Sequence, residues 1–232
     1  MIAALREAYR RMRRRFGHQQ WWPGETPFEV CVGAILTQNT SWTNVERAIA
    51  NLKSAGVLEP RRLLDLPAPN LARLLRPAGY FNVKARRLRA FLGVLVNEYH
   101  GRLETLLGGP LPVARARLLA IPGVGPETAD SMLLYAGGQL SFVVDAYTRR
   151  IFARHGWCHQ EADYHDLQRL CEGGLSHLPA NRRLDYWQDY HAQLVRVGKD
   201  YCRPRSPRCE DCPLRPLLPV ATTSNPGLSY PP

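Results

Sequence analysis

The chain has 232 residues, 45% of them hydrophobic, which is enough apolar material for a sizeable core in one domain or in two small lobes. Lys and Arg together number 31 against 20 Asp and Glu, and the net charge of +11 points to an acidic partner. No apolar run approaches the roughly 18 residues that a membrane-spanning helix needs, so nucleic acid is favoured over a membrane surface.

The chain opens Met-Ile-Ala-Ala-Leu-Arg with no signal-peptide core and runs into Arg10, Arg11, Arg13, Arg14 and Arg15. This predicts an amphipathic helix with a solvated basic face, in a cytoplasmic protein. Apolar residues then recur at helical spacing over 27–38, 43–54, 70–77, 82–98, 113–121, 126–136, 145–154, 163–174 and 183–197. Gly56, Pro60, Pro67, Gly101 and Gly137-Gly138 punctuate them, strand-like runs are few and no period repeats. The pattern is that of an all-α fold. The proline-rich end is read as a flexible tail over 216–232.

Two constellations carry chemistry. Residues 119–129 read Leu-Ala-Ile-Pro-Gly-Val-Gly-Pro-Glu-Thr-Ala, and Asp145 follows Gly125 by twenty residues at the end of an apolar run. Gly123 and Gly125 permit a tight hairpin around Val124, Pro126 suits the first turn of the next helix, and backbone N–H groups at such a turn can seat a phosphate. Locally, Asp145 also reads as a helix N-cap. The second constellation is Cys202, Cys209 and Cys212, spaced C-x6-C-x2-C; with six cysteines and no export signal, metal or free thiols are favoured over disulfides. Cys31, Cys158 and Cys171 sit among apolar residues and read as small hydrophobes.

The hairpin with an aspartate at this distance resembles the helix-hairpin-helix DNA glycosylase superfamily that includes endonuclease III, over about residues 5–215. The resemblance implies a two-lobed helical fold. One lobe, 25–140, is a six-helix barrel with the hairpin; 1–24 plus 141–215 form the other, and an active cleft lies between them. It makes Asp145 the catalytic carboxylate, damaged double-stranded DNA the partner and a monomer the working form. The cysteine run is similar to the loop that ligates a 4Fe-4S cluster in that family, except that Leu218 stands where the fourth cysteine belongs; a three-cysteine cluster, zinc or an empty loop remain the alternatives.

Bifunctional members of this superfamily carry a nucleophilic lysine two positions after the second hairpin glycine. Here that residue is Glu127, which cannot form an imine, so no lyase activity is expected. Glu127 then either contacts substrate or complements the positive end of its helix. Trp21-Trp22-Pro23 and the turn from Thr37 to Trp42 resemble the 3-methyladenine DNA glycosylase III branch, in which such aromatics form the base pocket, although that branch has phenylalanine where Trp42 stands. Gln38 or Asn39 would fill the gap left by an extruded base. Lys84, in a segment that faces the DNA backbone in the family, would pair with a phosphate.

The activity this implies is hydrolysis of the N-glycosidic bond of alkylated purines, 3-methyladenine first. An N-alkylated purine is cationic: indole faces favour it by roughly 0.5 to 2 kcal/mol over a neutral base, and its charge makes it a good leaving group. The alternatives are a glycosylase for mispaired or deaminated thymine, uracil or adenine, and a non-catalytic DNA-binding protein.

Overall fold

The computed structural model describes residues 1–20 and 24–219. Among them the chain is helical with no strand, and it divides into two compact units, Trp22–Ser141 and Met1–Trp21 with Phe142–Pro232. Trp21, Trp22, Pro23 and most of the expected tail lie outside the described residues.

The first unit is built on α2 (Pro27–Leu36). Thr26 caps it, accepting the Glu29 N–H at 3.1 Å, with Pro27 in the first turn. Val30, Cys31, Val32, Ile35 and Leu36 are all buried, as befits a central helix. Against it pack α3 (Trp42–Ser54), α6 (Phe81–Asn97) and α9 (Pro126–Ser131), which passes into a π turn at Met132–Ala136; α4 (Pro60–Asp65) and α5 (Ala68–Leu74) pack on α6, and α7 (Leu103–Leu107) packs on α8 (Leu111–Leu119), which packs on α9. One apolar cluster unites them, with Leu52, Leu88, Phe91, Leu92 and Leu118 among its fully buried members. The buried Asp130 carboxylate ties α8 to α9: Arg115 meets it with two bonds at 2.8 and 3.0 Å, and the Ser141 hydroxyl donates at 2.6 Å.

In the second unit α1 (Ile2–Phe16) and α10 (Ala146–Arg154) pack against α12 (Ala180–Asp200), a 21-residue helix, and α11 (Tyr164–Gly174) packs against α1. Leu5, Ala8 and Met12 form the buried stripe of α1. Its polar contacts with α12 are paired as well: the Tyr9 hydroxyl donates to Asp189 at 2.7 Å and the Tyr190 hydroxyl to the Leu5 carbonyl at 2.9 Å.

The periodic segments fall on helices, and two short helices lie where the sequence reads as connection. Pro60 is a start rather than a stop, because Glu59 accepts the Arg62 N–H and caps α4. At six and five residues, α4 and α7 are too short for a 3.6-residue period to register. The expected continuous helix over 126–136 changes to π geometry at Met132, with the Gly137 N–H reaching the Met132 carbonyl at 2.9 Å.

Candidate active site and DNA-binding elements

In the second unit Asp145 is the N-cap of α10. One oxygen accepts the Thr148 N–H at 2.7 Å and the Thr148 hydroxyl at 2.9 Å; the other lies 3.5 Å from Nε2 of His191 on α12. Its side chain is 11% exposed. Burial pushes this carboxyl up, but the His191 ring and then the Thr148 N–H and hydroxyl more than offset that and hold it below the usual carboxylate range. The result is a buried, ionised carboxylate of fixed orientation. His191 is the residue the sequence reading missed: at helical spacing among apolar neighbours it looks like core, and it is indeed 4% exposed, with Phe142 edge-on to its ring.

The approach of α10 to α12 depends on Gly198. A Cβ there would lie 2.6 Å from Tyr147 Cβ and Cγ, atoms that cannot swing away, while Arg150 of α10 donates to the Gly198 carbonyl at 3.2 Å. Gly198→Ala is therefore expected to lose about 1 to 3 kcal/mol in urea unfolding, through overpacking, and to slow base release by displacing Asp145 from His191. A variant as stable as the parent contradicts this packing.

In the first unit the hairpin joins α8 to α9. Only Gly123 takes the left-handed conformation, at φ +89°; Gly125 is extended, at φ −94°, and caps α9. A Cβ on Gly123 would lie 2.9 Å from Arg87 Cδ, whereas one on Gly125 would meet nothing within 4 Å. Glycine is thus required at the first position by the fold, and the second leaves the backbone open to an approaching molecule. Glu127 stands exposed in the first turn of α9.

The structure separates Gln38 from Asn39. The Gln38 amide is engaged at both ends: it donates to the Gly123 carbonyl and to the Thr128 hydroxyl at 3.0 Å each, and it accepts from Arg87. Gln38 therefore fastens the α2–α3 turn to the hairpin. Asn39 stands exposed beside it with φ +55°, at the tip of the turn. Trp42 is half-buried against the core, its indole N–H donating to Glu46 at 2.9 Å.

Lys84 requires a correction. It is 1% exposed, and its ammonium donates to the Ala78 carbonyl at 2.6 Å inside the first unit, so it does not face a phosphate. Burial, with the nearby Arg87 charge, pushes its pKa down to about 8. Its place in a basic stretch at the start of α6 gave no hint of this, because the burying neighbours come from elsewhere in the chain.

Cys202, Cys209 and Cys212 lie in the loop after α12, which α10 anchors: Arg150 donates to the Cys202 carbonyl at 2.6 Å, and Arg154 to Cys202 Sγ at 3.3 Å and to the Arg203 carbonyl at 2.7 Å. Burial pushes the Cys212 thiol up, and the neighbouring Cys202 and Cys209 add to that against the lowering effect of the Leu214 and Arg215 backbone hydrogen bonds. A guanidinium beside a sulfur suits a thiolate ligand. The donor set is nevertheless one short of four cysteines, with Leu218 at the expected place, and among the described residues no group of three or more His, Cys, Asp or Glu is arranged to hold a metal ion. Cys31 and Cys171 are fully buried, and burial raises both thiols.

A family profile described as HhH-GPD superfamily base excision DNA repair protein matches residues 32–177. A protein of Methanocaldococcus jannaschii, provisionally named a DNA repair glycosylase, is 46% identical over 202 residues, 86% of this chain and 89% of its own. Among solved structures, an endonuclease III in a non-covalent DNA complex superposes with a TM-score of 0.78 at 22% identity, over 94% of this chain and 95% of that one. The Helicobacter pylori 3-methyladenine DNA glycosylase MagIII bound to 1,N6-ethenoadenine gives 0.67 at 28% identity, over 77% and 87%. The chain belongs to the HhH-GPD superfamily of base excision DNA repair proteins, among the endonuclease III-like DNA glycosylases. Its fold is the helix-hairpin-helix glycosylase fold.

Proposed function

We propose that the chain is a monofunctional DNA N-glycosylase that hydrolyses the N-glycosidic bond of alkylated purines, 3-methyladenine first, acting as a monomer on double-stranded DNA. The observation that carries this is Asp145, a buried carboxylate kept ionised and oriented by His191 and Thr148. Base loss from an N-alkylated purine needs little acid catalysis, because the base already carries positive charge. What remains is to stabilise the oxocarbenium-like sugar and to direct a water to C1′, and a fixed anion does both. Selectivity for the cationic base falls to the aromatic faces of Trp42, Trp21 and Trp22, with Pro23 shaping the same pocket; Trp21, Trp22 and Pro23 lie outside the described residues. MagIII supports this reading, as a 28%-identical 3-methyladenine glycosylase.

In the DNA-binding role, Asn39 is the residue for the gap left by the base, with Gln38 holding its turn against the hairpin, and the hairpin Gly123-Val124-Gly125, open at Gly125, meets the strand. Glu127 takes part on the substrate side of α9, in place of a lysine. For the cysteine loop the reading is an iron–sulfur cluster on Cys202, Cys209 and Cys212 with its fourth ligand from outside the cysteine set. Aerobically purified, colourless and iron-free protein would contradict that reading.

The test is a matched panel of duplexes carrying 3-methyladenine, U·G, T·G and an adenine mispair, assayed with and without borohydride. Release is expected from 3-methyladenine in preference to the mispairs, with no borohydride-trapped covalent adduct, since Glu127 replaces the amine an imine requires. Faster release of a mispaired base overturns the substrate assignment, and a trapped adduct overturns the hydrolytic one.

A further inference from the structure

The second unit contains a cavity of about 630 Å³ away from the Asp145 carboxylate. Arg6, Arg10 and Arg13 of α1 line one wall; their spacing of three and four residues places all three on one helix face. Asn181, Arg182 and Asp185, at the opening of α12, line the other. Successive residues of a helix turn by about 100°, so Arg182 and His191 project from α12 about 180° apart. Asp189, which binds Tyr9 of α1, is likewise far round the helix from His191, so this cavity is on the α1 side of α12 and the Asp145 carboxylate on the other.

Its charge is unbalanced: four guanidinium groups face one carboxylate, Asp185. The existing partners leave most of the donors over. Arg6 spends Nε on the Gly174 carbonyl at 3.1 Å; Arg13 reaches Asp189 only at 3.8 Å, and that carboxylate already accepts from the Tyr9 hydroxyl and the Gln19 N–H. Arg10 pairs with Glu7 at 3.0 Å through one nitrogen, Nη2. Asp185 lies 3.1 Å from His18, a partner of its own. The opening turn of α12 adds to the same field, since Pro179 supplies no capping side chain and no acid stands in the first turn. Tyr9, Tyr186 and His177 complete the wall with aromatic surface.

We propose that this cavity is a second anion site that takes phosphate esters, separate from the site that holds the extruded base. Planar guanidinium forks match phosphate oxygens pairwise. The space opens to solvent at Arg10, Asn181 and Arg182, so it can admit a nucleotide or two adjoining phosphodiesters. The phosphates come either from a free nucleotide or from DNA beyond the stretch engaged at Asp145.

The experiment compares Arg10→Gln/Arg182→Gln with Arg14→Gln/Arg15→Gln. Both pairs remove two positive charges from exposed positions, but only the first lines the cavity. Affinity is measured for ADP by calorimetry and for an undamaged duplex over a salt series. If free nucleotide is the source, the parent and the Arg14/Arg15 variant bind ADP equally and the Arg10/Arg182 variant binds it at least tenfold more weakly. If DNA is the source, the plot of log affinity against log salt becomes shallower by about two for the Arg10/Arg182 variant alone. Equal behaviour of the two variants toward both probes overturns the proposal. Base release under single-turnover saturation is unaffected by either pair, so failure here leaves the Asp145 reading standing.

Discussion

Asp145→Asn is expected to lose about a hundredfold to a thousandfold in single-turnover base release while keeping its fold and its affinity for the lesion duplex. The substitution is informative because the aspartate has two tasks. As a cap it accepts the Thr148 N–H and hydroxyl, and an amide oxygen accepts both as well, asparagine being as good an N-cap as aspartate. As an anion it has no isosteric replacement, so an oxocarbenium-like transition state loses its counter-charge. Asp145→Ala, by contrast, removes the cap too and should cost roughly 1 kcal/mol of stability besides. Loss of activity in the alanine variant alone, with asparagine near the parent rate, would reduce Asp145 to a structural cap.

The second large effect concerns His191. Of the groups that hold Asp145 below the usual carboxylate range its effect is the largest, ahead of the closer Thr148 N–H and hydroxyl; Tyr147 also feels this carboxylate, its pKa raised by burial and further by the Asp145 charge. His191→Gln removes the ring that favours the ionised form, so the Asp145 pKa rises. The acid limb of the pH–rate profile then moves to higher pH, so the loss of base release is larger at acidic pH than at pH 8. The same sign applies to stability. A carboxyl whose folded pKa is depressed contributes stability above its unfolded pKa and loses it as pH falls through the folded value, so His191→Gln should narrow the gap in urea midpoint between pH 7 and pH 3. A uniform loss of rate at all pH values would show His191 to be a packing residue only.

The residues differ in how far the sequence alone reveals them, for physical reasons. Asp145 is legible because its signal is local: a glycine hairpin, a fixed count of residues and an apolar run. The long helices are legible because each buries one stripe, as Leu5, Ala8 and Met12 do in α1. His191 is not, because its partner is made by tertiary packing, with Gly198 admitting Tyr147 so that α10 lies against α12. Lys84 fails in the opposite direction, since a basic stretch suggests solvent and the fold encloses it. The choice between Gln38 and Asn39 is likewise invisible in the chain, being decided by where Arg87, Gly123 and Thr128 lie in space. In the hairpin the two glycines look equivalent on paper, yet only Gly123 needs its positive φ.

The most direct measurement is mass spectrometry of the bases freed from methylated genomic DNA by the parent protein and by Asp145→Asn. The account predicts free 3-methyladenine ahead of every other base from the parent, and none above background from the variant. Free pyrimidines or unmodified adenine as the main product, or equal yields from the two proteins, would contradict it.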